Sequence, residues 1–227
     1  MARTHMPRRA LDRGLSDLGT KTLALGKNVT QMLEQSVNAL KSRAIEQAEM
    51  IIIQDQDIDR DALELETAAE VLIARHQPVA SDLRRVISTM RIAVDLERIA
   101  DLAVNIARIT VDLGDEPLLK PLIDIPRMAT ITQEMVQESM IAFVEEDLNR
   151  ARRVYHRDEE VDGLYLQILR ELLSYMLQDP RTIQRAIALL FVARHLERVG
   201  DHATNIAETV TYLLTGERTI GEVEAKE

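Results

Sequence analysis

Apolar residues recur along the chain at spacings of three and four, which is the period of an amphipathic α-helix. Two stripes show this most clearly: Leu96, Ile99, Ala103 and Ile106, and further along Leu196, Val199, Ala203 and Ile206. The pattern predicts an all-α fold. It contains six long helices, over residues 10–42, 44–76, 79–113, 124–147, 149–178 and 181–215.

Proline and glycine mark the breaks between these helices. Pro78 follows Gln77 and Pro180 follows Asp179, which predicts a proline at the first helical position in both places and an N-cap at Asp179. The segment GDEPLLKPLIDIP, over residues 114–126, cannot continue a helix because it holds a glycine and three prolines. It is predicted to be a linker.

The linker separates two copies of the same architecture. Shifting the chain by 103 residues places Met32 on Met135 and Ser36 on Ser139, and the shift shortens to 100 residues further along. We therefore predict two repeats of three helices each. The expected divisions are a disordered or cloning-derived start at 1–10, a first repeat at 11–114, a linker at 115–126, a second repeat at 127–216 and a flexible acidic tail at 217–227.

Composition narrows the function classes. The chain has 227 residues, 46% of them hydrophobic and 3% aromatic, with no cysteine and a net charge of −10. So acidic a chain lacks the basic surface that nucleic acid requires, and the absence of cysteine removes thiolate catalysis. The longest apolar run, residues 186–193, is too short for a membrane span, and no apolar signal-peptide core follows the basic N-terminus. We expect a cytoplasmic protein.

Acidic residues four positions apart occupy matching places in the two repeats. Residues at this spacing lie on the same face of a helix, and like charges there destabilise it by roughly 0.2–0.5 kcal/mol per pair unless a cation or solvent compensates. The pairs are Asp55 and Asp59, Glu97 and Asp101, Asp158 and Asp162, and Glu197 and Asp201. Carboxylate oxygens suit hard and borderline cations, so these eight residues are candidate metal ligands.

A second interpretation is that these acids are solvated helix surface. The 38 acidic residues yield roughly six such pairs by chance, and duplication copies neutral surface as readily as a site. His202 follows Asp201, but Leu102 stands at the matching place, so we expect His202 to be solvated or to lie behind the ligands. Asn105 and Asn205 are expected to orient the acids or to face water.

Enzyme motifs are missing from the chain. It contains no Glu-x-x-His step of the di-iron bundle oxidases, no Walker loop and no GxGxxG, and no arrangement of Ser and His resembles a nucleophile with its base. We therefore expect a binding or regulatory protein rather than an enzyme, with no catalytic residues.

Three segments carry a further signal. They are HLERVGDHATNIAE from His195, DLERIADLAVNIA from Asp95 and HQPVASDLR from His76. In these segments the chain resembles the PhoU family of bacterial phosphate-transport accessory and regulatory proteins, and the resemblance spans residues 11–216. It implies two pseudo-symmetric three-helix bundles, which agrees with the six helices and the duplication.

The resemblance also implies metal binding. The family's E(D)xxxD motif, used in pairs, holds multinuclear iron or zinc clusters, and manganese, magnesium and nickel are not excluded here. All four acidic pairs named above match this motif. The first repeat reads ERIADL where the second has ERVGDH, so Ala100 and Leu102 replace the glycine and histidine. We expect the cluster of the first repeat to differ in size or affinity.

The implied role is negative regulation of the phosphate-starvation response and of phosphate uptake. The resemblance implies an adaptor, with no enzymatic activity, between the ATPase subunit of the phosphate ABC transporter and the phosphate-sensing histidine kinase. It further implies a homodimer that reaches the membrane only through its partners. The alternative is a non-catalytic helical scaffold, or an accessory protein of another phosphate or ion transporter, without a functional metal site.

Overall fold

The computed structural model describes residues 5–114 and 116–224, with the backbone alone at residues 5–7, 222 and 224. The described residues form six long helices, one 3-10 turn and one short helix, and they contain no strand. These elements are α1 (His5–Ser42), α2 (Ile45–His76), α3 (Ala80–Leu113), α4 (Asp124–Glu145), α5 (Leu148–Gln178), the 3-10 turn (Pro180–Thr182), α6 (Ile183–Thr215) and α7 (Ile220–Glu224). The predicted all-α fold is confirmed.

Side-chain caps begin α5 and the 3-10 turn before α6. The Asp147 carboxylate accepts hydrogen bonds from the backbone N–H groups of Asn149 and Arg150 and so caps α5. Asp179 likewise accepts from the backbone of Arg181, and Pro180 begins the 3-10 turn before α6, as predicted. The prediction for Pro78 was wrong.

Helix α2 ends earlier than this proline, and α3 starts after it. Gln77 adopts the left-handed conformation with φ of 46° and ends α2, and Val79 is the N-cap of α3. Pro78 therefore lies in the connection between the two helices. Because proline has no backbone N–H group, Pro78 cannot donate the hydrogen bond that would continue α2.

Each repeat forms a three-helix bundle, and the two bundles pack against each other. Helices α1, α2 and α3 contact one another, as do α4, α5 and α6. Contacts between α3 and α6 and between α1 and α4 join the repeats. Helices α3 and α6 make the most extensive of the contacts between the repeats, and each also contacts both other helices of its own repeat.

The ends of the predicted divisions differ from expectation. Helix α1 begins at His5, inside the start expected to be disordered at 1–10, of which residues 1–4 lie outside the described part. Residues 220–224, expected to belong to a flexible tail, form α7 because Ile220 packs into the core with no exposed surface. Residues 225–227 are not described. In the linker, the Pro117 carbonyl accepts a hydrogen bond from Arg185 at 3.0 Å.

Candidate metal centres

The structure brings the two acidic pairs of the first repeat together. Asp55 and Asp59 lie on α2, Glu97 and Asp101 lie on α3, and these helices pack side by side. The charges of the other three residues all act on Asp55. We call these four residues the first acid cluster.

The buried carboxylate of Asp55 dominates the electrostatics of this cluster. Burial, together with the negative charges of Asp59 and Asp101, raises the pKa of Asp55 to about 6, and the positive charge of Arg108 opposes this rise. Its Oδ1 atom is buried and has no hydrogen-bond partner among the described residues. Burial also raises the pKa of Glu97. In such surroundings the negative charge of an ionised carboxylate is only weakly stabilised by its neighbours.

Two charged residues near the first acid cluster escaped the sequence analysis. Glu66 adds a negative charge that acts on Glu97, and Arg108 adds a positive one that acts on Asp55. Their counterparts in the second repeat are Leu169 and Glu208, so the duplication gave no hint of either. Helical spacing could have found Glu66, because it lies seven residues after Asp59 and therefore on the same face.

The second repeat builds a matching arrangement, which we call the second acid cluster. It consists of Asp158 and Asp162 on α5 and of Glu197 and Asp201 on α6. Burial, together with the negative charges of Asp162 and Asp201, raises the pKa of Asp158 to about 6. Burial likewise raises the pKa of Glu197, whose Oε2 atom is buried and lacks a hydrogen-bond partner among the described residues.

One acid of each cluster is held by an arginine on its own helix. Arg98 donates to Asp101 with Nη1 3.0 Å from Oδ2, and Arg194 donates to Glu197. Among the described residues, no group of three or more Asp, Glu and His side chains is arranged so that it could hold a metal ion as the side chains stand. The structure thus gathers the eight predicted residues into two clusters of acids, without a preassembled ligand set.

A glycine distinguishes the second acid cluster from the first. A Cβ atom built on Gly200 would lie 2.9 Å from Oδ1 of Asp158, closer than side chains tolerate. Asp158 therefore approaches the backbone of α6 at a place that only glycine leaves open. The first repeat has Ala100 there, fully buried, so Asp55 cannot approach α3 in the same way.

His202 neither faces solvent freely nor joins the acids. Its Nδ1 atom lies 2.9 Å from Oδ1 of Asp95, and Asn205 donates to the same oxygen at 3.4 Å. Asp95 belongs to α3, so this contact crosses between the repeats. Asn105, by contrast, accepts a hydrogen bond from Arg108 at 3.3 Å.

Within the described residues, no helix is long and apolar enough to cross a membrane.

Known proteins resemble the chain over nearly its whole length. The PhoU domain family matches residues 22–110 and 125–210. The phosphate-specific transport system accessory protein PhoU homolog of Aquifex aeolicus is 41% identical over 203 residues, 89% of this chain and 92% of the relative. The homolog of the same name from Rhizobium meliloti is 36% identical over 214 residues, 94% of this chain and 90% of the relative.

Solved structures agree with this assignment. The crystal structure of PhoU from Pseudomonas aeruginosa superposes with a TM-score of 0.87 at 36% identity, covering 91% of this chain and 99% of that one. PhoU from Streptococcus pneumoniae, described as a phosphate transport system regulatory protein, gives 0.86 at 31% identity, covering 92% and 99%. The chain belongs to the PhoU family and carries one PhoU domain in each of its two repeats.

Proposed function

We propose that the protein is an accessory and regulatory component of a phosphate transport system. The relatives that align with nine-tenths of the chain carry the name of phosphate-specific transport accessory proteins, and a structural neighbour is described as a regulatory protein of phosphate transport. The full-length alignment supports the same role here, since both repeats and the packing between them are shared.

The proposal includes metal binding at both acid clusters. The observation that carries it is the pair of buried, unpartnered carboxylate oxygens, Oδ1 of Asp55 and Oε2 of Glu197, each surrounded by further acids. A buried ionised carboxylate beside like charges is unfavourable unless a cation compensates it. A multivalent cation bound by several carboxylates removes this penalty, whereas solvation alone leaves the buried oxygen unsatisfied.

Each cluster would contribute oxygen ligands from two helices. In the first, these are Asp55 and Asp59 on α2 with Glu97 and Asp101 on α3; in the second they are the matching residues on α5 and α6. Loading requires the Arg98 and Arg194 guanidinium groups to release Asp101 and Glu197. Oxygen ligands suit iron and zinc, the metals that the family resemblance implies, and a bound cation supplies positive charge that can attract an oxyanion.

In this proposal the protein acts on other proteins rather than on a substrate. It restrains phosphate uptake and the phosphate-starvation response by contacting the ATPase subunit of the transporter and the phosphate-sensing histidine kinase, as a homodimer. The support is the family membership and the lack of catalytic motifs in the sequence. Contact with the membrane runs through these partners.

A second candidate is a metal-free helical scaffold, or an accessory protein of another phosphate or ion transporter. The ion pairs of Arg98 with Asp101 and of Arg194 with Glu197 favour it, because each removes one acid from a ligand set. The two candidates differ in whether the acid clusters have a role beyond the helix surface.

Metal content separates the two candidates. Elemental mass spectrometry is applied to untagged protein purified without chelator, and to a variant in which Glu97, Asp101, Glu197 and Asp201 are alanine. More than one metal per chain, lost in the variant, supports the metal-binding proposal. No metal in the native protein favours the scaffold. A control variant replaces four exposed acids elsewhere, Glu49, Glu64, Glu70 and Glu159, by alanine and should keep the native metal content.

Capture of partners tests the regulatory role separately. The native protein is used as bait in lysate of its own host grown with ample phosphate. Recovery of the transporter ATPase subunit or of the histidine kinase supports the adaptor role, and recovery of neither contradicts it. Repeating the capture with the quadruple alanine variant shows whether the partners depend on the acid clusters.

A further inference from the structure

A second polar site lies outside both acid clusters. It is a cavity of about 270 Å³ between α3, α6 and the segment that leads to α7, and none of the eight clustered acids lines it. Its lining residues are Arg91, Asn205, Glu208, Thr209 and Arg218. We call it the Arg91 pocket.

Arg91 offers a cation whose hydrogen-bond donors are not used by any of the described residues. Its guanidinium carbon lies 5.0 Å from the ring centroid of Tyr212, so the two planar groups form a cation–π contact. No ion pair or hydrogen bond joins Arg91 to a carboxylate among the described residues. The aromatic ring holds one face of the guanidinium and leaves its N–H groups available to an oxyanion.

Thr209 adds a hydroxyl group that differs from those of its neighbours on α6. Thr204, Thr211 and Thr215 each donate to the backbone carbonyl four residues earlier. Thr209 makes no hydrogen bond to another described residue, although its side chain is largely buried and lines the pocket. Its hydroxyl is therefore available to a ligand in the cavity.

The charge of the lining favours an anion. Two guanidinium groups, Arg91 and Arg218, stand against one carboxylate, Glu208, in a chain whose net charge is −10. Arg218 and Glu208 have further contacts of their own. Arg91 is thus the group on which an anion would depend most.

The Arg91 pocket is not part of the duplicated surface. At the matching places, Phe191 replaces Arg91, Ile109 replaces Thr209 and Asp112 replaces Tyr212. The pocket combines α3 of the first repeat with α6 of the second, and the matching place formed by Phe191, Ile109 and Asp112 therefore lacks the cation, the hydroxyl and the ring together. Their combination on one side of the molecule is a separate feature, not a copy of an ordinary solvated face.

We propose that the Arg91 pocket binds a small tetrahedral oxyanion, of the class of inorganic phosphate and sulfate, without the help of a metal. The guanidinium of Arg91 supplies charge and paired N–H donors, and the hydroxyl of Thr209 supplies a further hydrogen bond. The cavity has room for such an ion together with water. This site would let an acidic protein meet an anion independently of its acid clusters.

Calorimetric titration of the full chain with sodium phosphate tests this proposal. The protein is treated with chelator, and the titration is run at low ionic strength near neutral pH. We expect one saturable site per chain, and sodium sulfate should compete for it while sodium chloride should not. Absence of saturable binding overturns the proposal.

Substitutions locate the binding. Arg91→Phe, which installs the residue of the other repeat, should weaken phosphate binding at least about ten-fold, and Thr209→Val should weaken it by several-fold, as expected for lost hydrogen bonds to a charged group. Arg75→Gln, which removes an exposed arginine that does not line the pocket, should bind phosphate as the native protein does. Equal affinity in the native protein and the Arg91→Phe variant overturns the proposal.

Two controls keep the result interpretable. Circular dichroism checks that each variant keeps its helix content, and Arg91→Lys retains the charge but loses the paired donors, so an intermediate affinity is expected. The quadruple alanine variant of the acid clusters should bind phosphate as the native protein does. If phosphate binding disappears in that variant, the anion depends on the clusters and the pocket is not the site.

Discussion

The imidazole Nδ1 of His202 lies 2.9 Å from the carboxylate Oδ1 of Asp95, and this contact joins the two repeats. Asp95 stands two residues before Glu97 in the first acid cluster, and His202 directly follows Asp201 in the second. Both side chains are largely shielded from solvent. This contact and the hydrogen bond that Asn205 donates to the same oxygen link the helix segments that carry the two clusters.

Removing either partner should destabilise the interface between the repeats. His202→Leu, which installs the residue of the first repeat, and Asp95→Ala should each lower the free energy of unfolding by about 1–3 kcal/mol, because a shielded polar group is left unpaired. The double variant should show a coupling energy of at least about 0.5 kcal/mol in urea denaturation. Additive effects would contradict the contact.

The matched control for this pair is His195, which stands where the first repeat has Asp95. Its Nδ1 atom is buried without a hydrogen-bond partner among the described residues. His195→Leu should therefore reduce the free energy of unfolding less than His202→Leu does, since no hydrogen bond is lost. A larger loss of the free energy of unfolding in His195→Leu than in His202→Leu would contradict a stabilising role of the contact between His202 and Asp95.

Gly200 should respond to alanine differently from a glycine with open space around it. Alanine in place of a mid-helix glycine normally raises stability by roughly 0.5–1 kcal/mol. At Gly200 the new Cβ would lie 2.9 Å from Oδ1 of Asp158, so we expect no gain or a loss. Gly163→Ala in α5 should show the normal gain, because nothing lies within 4 Å of its added Cβ.

The same substitution in an Asp158→Ala variant tests whether Asp158 is what prevents the gain in stability. In a protein that already carries Asp158→Ala, Gly200→Ala should recover a gain of about 0.5–1 kcal/mol, measured by urea denaturation. If the gain stays absent, the obstacle is another group, and Val161 is the next one on α5 that the added Cβ would meet, at 3.4 Å.

The amino-acid sequence predicts the six long helices to within a few residues at most boundaries, because apolar periodicity and the proline and glycine breaks act locally. It predicts less where tertiary packing decides. Helix α7 was missed because two buried residues, Ile220 and Val223, hold a short segment against the rest of the protein. The contact of His202 with Asp95 was missed because periodicity does not tell which helices of the two repeats meet.

In the acid clusters, too, the sequence predicts the local features and tertiary packing decides the rest. Helical spacing and duplication identify the pairs, and the packing of α2 on α3 and of α5 on α6 brings them together. Burial is what raises the pKa of Asp55 and Asp158, and no local pattern measures burial. Glu66 and Arg108 are replaced by Leu169 and Glu208 in the second repeat, so the duplication identifies neither of them, and Arg108 is added to the first cluster by the structure alone.

The metal-free protein should lose stability as the pH rises from about 4 to about 6. The pKa of Asp55 and that of Asp158 are each raised from 3.8 to about 6 by burial and by neighbouring acids. In this window the folded state holds protons that the unfolded state has released, so the free energy of unfolding falls with rising pH. The neighbours are Asp59, Glu97 and Asp101, opposed by Arg108, and Asp162 with Asp201.

A double variant isolates the two carboxyl groups. Protein with Asp55→Asn and Asp158→Asn should melt at a higher temperature than the native protein at pH 7, and the difference should shrink towards pH 4.5. Glu159→Gln, which alters an exposed acid next to Asp158, should give a difference that hardly changes with pH. Scanning calorimetry in the presence of chelator measures the melting temperatures of the native protein, the double variant and Glu159→Gln. A difference independent of pH in the double variant would contradict the raised pKa values.

Zinc should stabilise the native protein and do so less in cluster variants. A cation that binds only the folded state raises the free energy of unfolding, by about 2.7 kcal/mol at a concentration one hundred times its dissociation constant. Asp55→Ala with Glu97→Ala should remove the contribution of the first cluster, and Asp158→Ala with Glu197→Ala that of the second. Thermal melts at increasing zinc concentration, near pH 7, measure each contribution.

The two clusters should contribute unequally. Gly200 lets Asp158 approach α6 closely, and the charges that act on Asp158 are those of the acids Asp162 and Asp201, with no arginine opposing them. Arg108 opposes the negative charge of Asp55 and so competes with a cation in the first cluster. The second-cluster variant should therefore lose more of the zinc stabilisation. Arg108→Gln should raise the contribution of the first cluster, and unchanged zinc stabilisation in that variant would contradict this explanation.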